Sequence, residues 1–122
     1  MIRVLIVDDS ALIRERLKTM LSEIAGVEIV GQAEDKMEAI ASNERLHPDV
    51  VILDIRLPRG DGIEVLQHIK RDTPSVIVIM LTNYSYPQYR QKCLKAGADF
   101  FFDKSTEFDK VIAVLQRLSQ SD

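Results

Sequence analysis

The chain has 122 residues, 46% of them hydrophobic and 29% charged, with a formal net charge of -3. That length suits one compact domain burying roughly two-thirds of its unfolded surface, so a core forms without disulfides, and the lone Cys93 excludes an internal one. A pI near 5.4 argues against a direct nucleic-acid partner, which needs a clustered basic face, and no run approaches the roughly 18 apolar residues of a membrane span.

The first apolar, β-branched run is Ile2–Val7, cut short by Asp8 and Asp9 before it could serve as a signal segment. A cytoplasmic location is therefore expected. In Ser10–Ile24 the residues Ile13, Leu17, Met20, Leu21 and Ile24 recur at helical spacing, with Ser10 placed to cap. Strand-like runs follow at Val27–Val30 and Val50–Leu53, the second ending in Asp54. A helix over Ile63–Lys70 carries the stripe Val65, Leu66 and Ile69, with Glu64 and His68 on another face. The run Val76–Leu81 ends in Thr82, and Ala98–Phe102 is preceded by Gly97 and followed by Lys104. The last helix, Thr106–Leu118, places Phe108, Val111, Ile112, Leu115 and Leu118 on one face; Thr106 and Asp109 resemble a capping box.

Continuous apolar runs are what parallel strands covered on both faces require. Alternation of such strands with helices predicts an α/β fold, βα repeated five times, with a parallel sheet between helical layers. The flavodoxin-like strand order 2-1-3-4-5 suits five strands. No repeat, low-complexity tract or linker interrupts the chain, so residues 1–122 are expected to form one domain.

In such folds the ligand site lies beyond the carboxyl ends of the strands, at the switch point between strands 1 and 3. Asp8, Asp9 and Asp54 converge there. Three gathered carboxylates call for a hard divalent cation with few protein ligands, which suits Mg²⁺ better than zinc or calcium. Thr82 and Lys104 add donors for an anion. Metal, anion and carboxylate together suggest phosphoryl chemistry.

Five segments carry a family resemblance: Val4 to Ser10, Asp49 to Asp54, Leu57-Pro58 with Asp61-Gly62, Leu81-Thr82, and Lys95 to Asp99 leading to Lys104. In order and at the ends of the right strands, they resemble a response-regulator receiver domain of two-component signalling over essentially the whole chain. The resemblance implies that Asp54 accepts a phosphoryl group from a phosphohistidine on a histidine kinase or histidine phosphotransfer protein. It implies direct Mg²⁺ ligation by Asp9, Asp54 and the Arg56 backbone carbonyl, with Asp8 acting through water. Lys104 and Thr82 would contact phosphoryl oxygens, and the Asn83 backbone N–H would serve the phosphate. Phe101 would be the switch aromatic, turning inwards as Thr82 moves. The surface of the fourth helix, fifth strand and fifth helix would then recruit a downstream target, a second copy or an output domain. Such a module is a phosphoacceptor regulator rather than a dedicated enzyme.

The chain departs from the family pattern at several places. Phe101 lacks the hydroxyl of the common tyrosine, and Ser105 follows Lys104 where proline is usual, which makes a cis bond there cost roughly 3 kcal/mol. Arg56 and Tyr84 are bulky neighbours expected to overhang the site, and the Asn83 side chain is expected to narrow access. A degenerate receiver acting as a constitutive interaction module is the alternative that Arg56 and Tyr84 leave open, although the intact acidic pair, Asp54, Thr82 and Lys104 argue against it. A haloacid-dehalogenase-like phosphohydrolase would need its second Asp two residues after the first, whereas Asp8 and Asp9 are adjacent. The plain readings are helix-dipole complementation for Asp8-Asp9-Ser10 and core packing for Phe100-Phe101-Phe102. Arg59-Gly60-Asp61 reads as turn chemistry, Cys93 as a buried thiol, and His47 and His68 as surface positions without ligand spacing.

Overall fold

A computed structural model describes residues 1–121. In chain order the elements are β1 (Ile2–Val7), α1 (Ala11–Leu21), β2 (Val27–Ala33), α2 (Lys36–Leu46), β3 (Val50–Leu53), β4 (Arg56–Leu57), β5 (Gly60–Asp61), α3 (Gly62–Asp72), β6 (Ile77–Thr82), α4 (Pro87–Lys95), β7 (Phe100–Asp103) and α5 (Phe108–Ser121). Five strands make one parallel sheet in the order β2-β1-β3-β6-β7, and β4 pairs with β5 as a separate antiparallel hairpin. Counting only the large strands, the order is the expected 2-1-3-4-5.

The apolar runs have no polar alternation because the sheet divides two cores. Leu5 and Val7 of β1 join Val51, Leu53, Val78 and Met80 under residues of α2, α3 and α4. Val4 and Ile6 join Val50, Ile52, Ile79 and Leu81 under α1 and α5. Each strand residue is therefore covered on whichever face it points to. Leu66 and Ile69 of α3 are fully buried, and each such side chain contributes about 1.5–3 kcal/mol.

Several boundaries differ from the sequence expectation. β2 runs on to Ala33 because a register shift between Val4 and Leu5 absorbs Val30 as a bulge. β7 starts at Phe100, since Gly97 takes a left-handed φ of 102° and the chain straightens only afterwards. α1 ends at Leu21, with Ser10 capping it through Ile13 N at 3.3 Å. The Thr106–Asp109 box does not form. α5 begins at Phe108, and the N–H groups of Ser105 and Thr106 donate instead to Asp103 Oδ1 at 2.7 and 3.3 Å. A capping box does occur at α3, where Asp61 and Glu64 exchange bonds of 2.9 Å.

Candidate functional site

β1 lies between β2 and β3, so the loops leaving β1 and β3 diverge to opposite faces and leave a crevice at the strand ends. The ladder continues one residue beyond each strand. Asp8 N donates to Ala33 O at 3.0 Å, and Asp54 N donates to Val7 O at 3.1 Å. Both aspartates thus inherit the rigidity of the sheet and point into the crevice. Asp8, Asp9 and Asp54 each offer a carboxylate oxygen, and these oxygens lie within 4.8 Å of one another.

The remaining bonds fix orientation. Asp8 Oδ1 accepts from Ser10 N at 2.8 Å, and Arg14 Nη1 donates to Asp8 O at 2.7 Å. Asp54 Oδ1 accepts from Ile55 N at 2.7 Å. Lys104, after β7, places Nζ 2.7 Å from both Asp8 Oδ2 and Asp54 Oδ2. The three side chains are 8%, 4% and 6% exposed respectively, so this is a desolvated charge cluster. Burial pushes the Asp8 carboxyl above the ordinary 3.8, with the Lys104 hydrogen bond only partly offsetting it. Burial likewise works against charge on Lys104, but its bonds to Asp54 and Asp8 outweigh it and hold the ammonium up. Asp9 is exposed at the crevice mouth, free to meet an ion from solvent. An all-oxygen set of this kind, part buried and part open, fits a magnesium-sized hard cation that keeps some of its water.

Thr82 closes β6, fully buried, and its Oγ1 accepts from Tyr84 N at 3.1 Å while its own proton stays available. Lys104 N donates to Thr82 O at 2.9 Å, tying the two loops. Asn83 is exposed, and its Oδ1 accepts from Ser105 Oγ at 3.4 Å. Ser85 Oγ donates to Asp103 Oδ2 in a short bond. No peptide bond among the described residues is cis, so Lys104-Ser105 is trans and Asp103 organises the turn that proline shapes elsewhere.

Arg56 and Tyr84 meet each other: the guanidinium carbon stands 4.5 Å from the Tyr84 ring centroid. Phe101 is buried at 4% exposure in the core beneath α4, with the Arg90 guanidinium 5.7 Å from its ring centroid. It therefore already occupies the inward position. Cys93 is fully buried, and desolvation pushes its thiol up to about 11. Arg59 has φ 62° in the β4–β5 turn, consistent with turn chemistry for Arg59-Gly60-Asp61.

The sequence reading overlooked the demand on Gly62. Gly62 N donates to Ile55 O at 2.6 Å, and a Cβ at this position would sit 1.8 Å from Asp54 O. Only the absent side chain lets α3 begin against the backbone of Asp54. No local signal marks it except the Asp61-Gly62 step itself.

Fold and site together define a flavodoxin-like α/β protein with an acidic pocket at its switch point. The chain belongs to the response regulator receiver domain family, whose model matches residues 4–116, and is a regulatory module of two-component systems. It is 39% identical over 105 residues to a protein-glutamate methylesterase/protein-glutamine glutaminase of Alkalilimnicola ehrlichii, covering 84% of this chain and 27% of that protein. It is 31% identical to the response regulator VraR of Staphylococcus aureus, covering 99% of this chain and 58% of VraR. The chain thus spans only part of the length of these relatives. Among solved structures, the response regulator domain of Thermotoga maritima CheB aligns with a TM-score of 0.86 at 34% identity, covering 99% of this chain and 95% of that one. The CheX-CheY-BeF3-Mg complex of Borrelia burgdorferi aligns with a TM-score of 0.81 at 31% identity over 93% and 88% of the chains. Among the described residues no helix is long and apolar enough to cross a membrane.

Proposed function

We propose that the chain is one receiver unit that accepts a phosphoryl group on Asp54 from a phosphohistidine of a histidine kinase or histidine phosphotransfer protein. The carrying observation is that Asp54, buried at the end of β3, shares its pocket with two further carboxylates within 4.8 Å and with the ammonium of Lys104 at 2.7 Å. Asp54 Oδ2 attacks phosphorus, the bond from phosphorus to the donor imidazole breaks, and the imidazole leaves with the electron pair. Lys104 follows the transferring group, exchanging a carboxylate oxygen for a phosphoryl oxygen. Thr82 turns its hydroxyl to another oxygen, and the Asn83 backbone N–H serves the phosphate. Asp9, Asp54 and the Arg56 carbonyl would hold Mg²⁺, with Asp8 assisting through water, and the ion would supply charge neutralisation for acids and phosphate.

Because Phe101 is already inward, the switch would be read less from its ring than from α4, β7 and α5 adjusting as Thr82 moves. That surface is the proposed contact for a downstream target, a second copy or an output domain, with the module working in the cytoplasm. Incubation with acetyl phosphate and Mg²⁺ tests the reading by intact-protein mass. One added phosphoryl group is expected, absent in Asp54→Asn; no addition to the wild type, or equal addition to the variant, overturns it.

The Arg56–Tyr84 stack leaves a second reading, a constitutive interaction module. Beryllofluoride with Mg²⁺ separates the two, since only a working acceptor shifts the amide resonances around Asp54, Thr82 and Phe101.

A further inference from the structure

The ends of α2 and α3 hold a second cluster of ligating groups. Helices antiparallel to the strands carry their C-termini to the edge of the sheet opposite Asp54, so this cluster stands apart from the phosphoacceptor. Glu44 comes from the last turns of α2; His68 and Asp72 come from successive turns of α3. His68 Nε2 lies 3.5 Å from Glu44 Oε1 and 3.1 Å from Asp72 Oδ2, and all three donor atoms fall within 4.8 Å of one another.

The imidazole is not satisfied there. Arg71 Nη2 sits 3.0 Å from His68 Nδ1. A guanidinium can only donate, so Nδ1 accepts and the ring hydrogen is on Nε2. Yet Nε2 is buried and makes no hydrogen bond, although two carboxylates face it. A simple ion pair would align that N–H on one oxygen. Instead the nitrogen stands between two, at separations suited to a common partner. Zinc bonds of about 2.0–2.2 Å at tetrahedral angles put adjacent donor atoms about 3.3–3.6 Å apart. The observed 3.1 and 3.5 Å are within a few tenths of an ångström of that spacing.

We propose that Glu44, His68 and Asp72 form a binding site for a borderline divalent transition ion, Zn²⁺ being best suited, which clips the end of α2 to the end of α3. One imidazole nitrogen with two carboxylates selects such ions over Mg²⁺, which prefers oxygen alone. A fourth position remains for water. Two of the ligands are open to solvent at 62% and 41% side-chain exposure, which gives the ion an entry path. Binding takes the Nε2 lone pair, so the ring hydrogen moves to Nδ1 and Arg71 must release it. Arg71 also donates to Asp72 Oδ1 at 2.9 Å, so the guanidinium holds two of the three ligands and competes with the metal. The spacing of Glu44 from His68 in the chain hides this site, because its ligands meet only when α2 packs on α3.

The test is calorimetric titration of the intact chain with Zn²⁺ under excess Mg²⁺, which keeps the Asp8, Asp9 and Asp54 pocket filled. One saturable site is expected. His68→Gln should weaken it by about 100-fold or more, since even outer partners of metal ligands are worth 10–100-fold. Glu44→Gln and Asp72→Asn should each weaken it, and Arg71→Ala should tighten it severalfold. The other histidine, His47, caps α2 in a left-handed conformation, and His47→Asn should change nothing. Phosphorylation by acetyl phosphate should be equal in wild type and His68→Gln, which certifies the fold of the variant and keeps this result separate from the reading of Asp54. No saturable Zn²⁺ site in the wild type, or an affinity unchanged in His68→Gln, overturns the proposal.

Discussion

Lys104 is the side chain on which the resting pocket turns. Its ammonium is the near neighbour of Asp8 and Asp54 alike, at 2.7 Å from each, and all three are shielded from solvent. Removing one partner of a buried ion pair costs about 3–5 kcal/mol because the other charge is stranded. Lys104→Met should therefore lower the unfolding free energy by about that much in EDTA, measured by denaturant titration. Mg²⁺ should restore most of the loss, yet phosphorylation should remain slow, because a cation at the acids does not replace the ammonium that follows the phosphoryl group. An equal loss with and without Mg²⁺ would contradict this division of labour. Tyr84 acts at the same scale. Its ring carries the Arg56 guanidinium 4.5 Å from its centroid, and a contact of this kind near solvent is worth about 0.5–1 kcal/mol. Tyr84→Ala should free Arg56, admit water and shorten the lifetime of the phosphorylated state by about two- to fivefold, the ratio that this energy allows. A lifetime unchanged or lengthened in a radiolabel chase would show that the stack does not gate water.

At the scale of elements, α3 is held by two devices, one inside the chain's own helix and one reaching to the acceptor. Asp61 and Glu64 close its N-terminus, and Gly62 brings its first turn against the Asp54 carbonyl. A methyl group at Gly62 would demand a shift of backbone rather than of a flexible side chain. Gly62→Ala should destabilise by at least the 1–3 kcal/mol typical of overpacking, and should also slow phosphorylation at equal folded fraction. Wild-type rates in the folded variant would mean that the α3 start does not position Asp54. What the sequence made legible follows from the same physics. β1, β3, β6 and β7 were readable because both faces are buried and the runs are unbroken. α1, α3 and α5 were readable from their apolar stripes. α2 and α4 were not delineated, because their inward residues include Ala39, Ser42, Asn43 and a single Cys93, while Met37 and Leu94 point out. The β4–β5 hairpin is too short for any periodicity to show. Asp8, Asp9, Asp54, Thr82 and Lys104 were legible because each stands at the carboxyl end of a strand, where topology alone assembles them. The Ser85–Asp103 clasp and the Glu44–His68–Asp72 cluster join residues from separate elements with no motif between them.

For the whole molecule, the charge arrangement sets how the fold answers acid. Four carboxyls, exposed at Glu64 and Asp72 and half-buried at Asp103 and Glu107, titrate below their ordinary values because the folded state supplies partners to their ionised forms. Glu64 is lowered first by the Asp61 N–H, Asp72 by the Arg71 guanidinium, Asp103 by the Ser85 hydroxyl and Glu107 by the Lys110 ammonium. A depressed carboxyl contributes stability above its unfolded value, here 4.5 for the glutamates and 3.8 for the aspartates, and loses it as pH falls through the lower folded value. Asp8 has the opposite sign. Its raised value means that the metal-free fold binds this proton more tightly than the unfolded chain, so the pocket does not lead the loss. Acid should therefore act first on the α3 cap and on the loop from Asp103 to Glu107. In EDTA the melting temperature should be level down to about pH 5 and then fall steadily towards about pH 3. Glu64→Gln should flatten part of that fall, since an amide still accepts from Asp61 N–H without titrating. Amide exchange followed through the same range should quicken at Asp61, Glu64, Ser105 and Thr106 before it does at Asp54 and Val7. If the strand ends open first instead, the acidic pocket rather than these surface caps governs the acid limit of the fold.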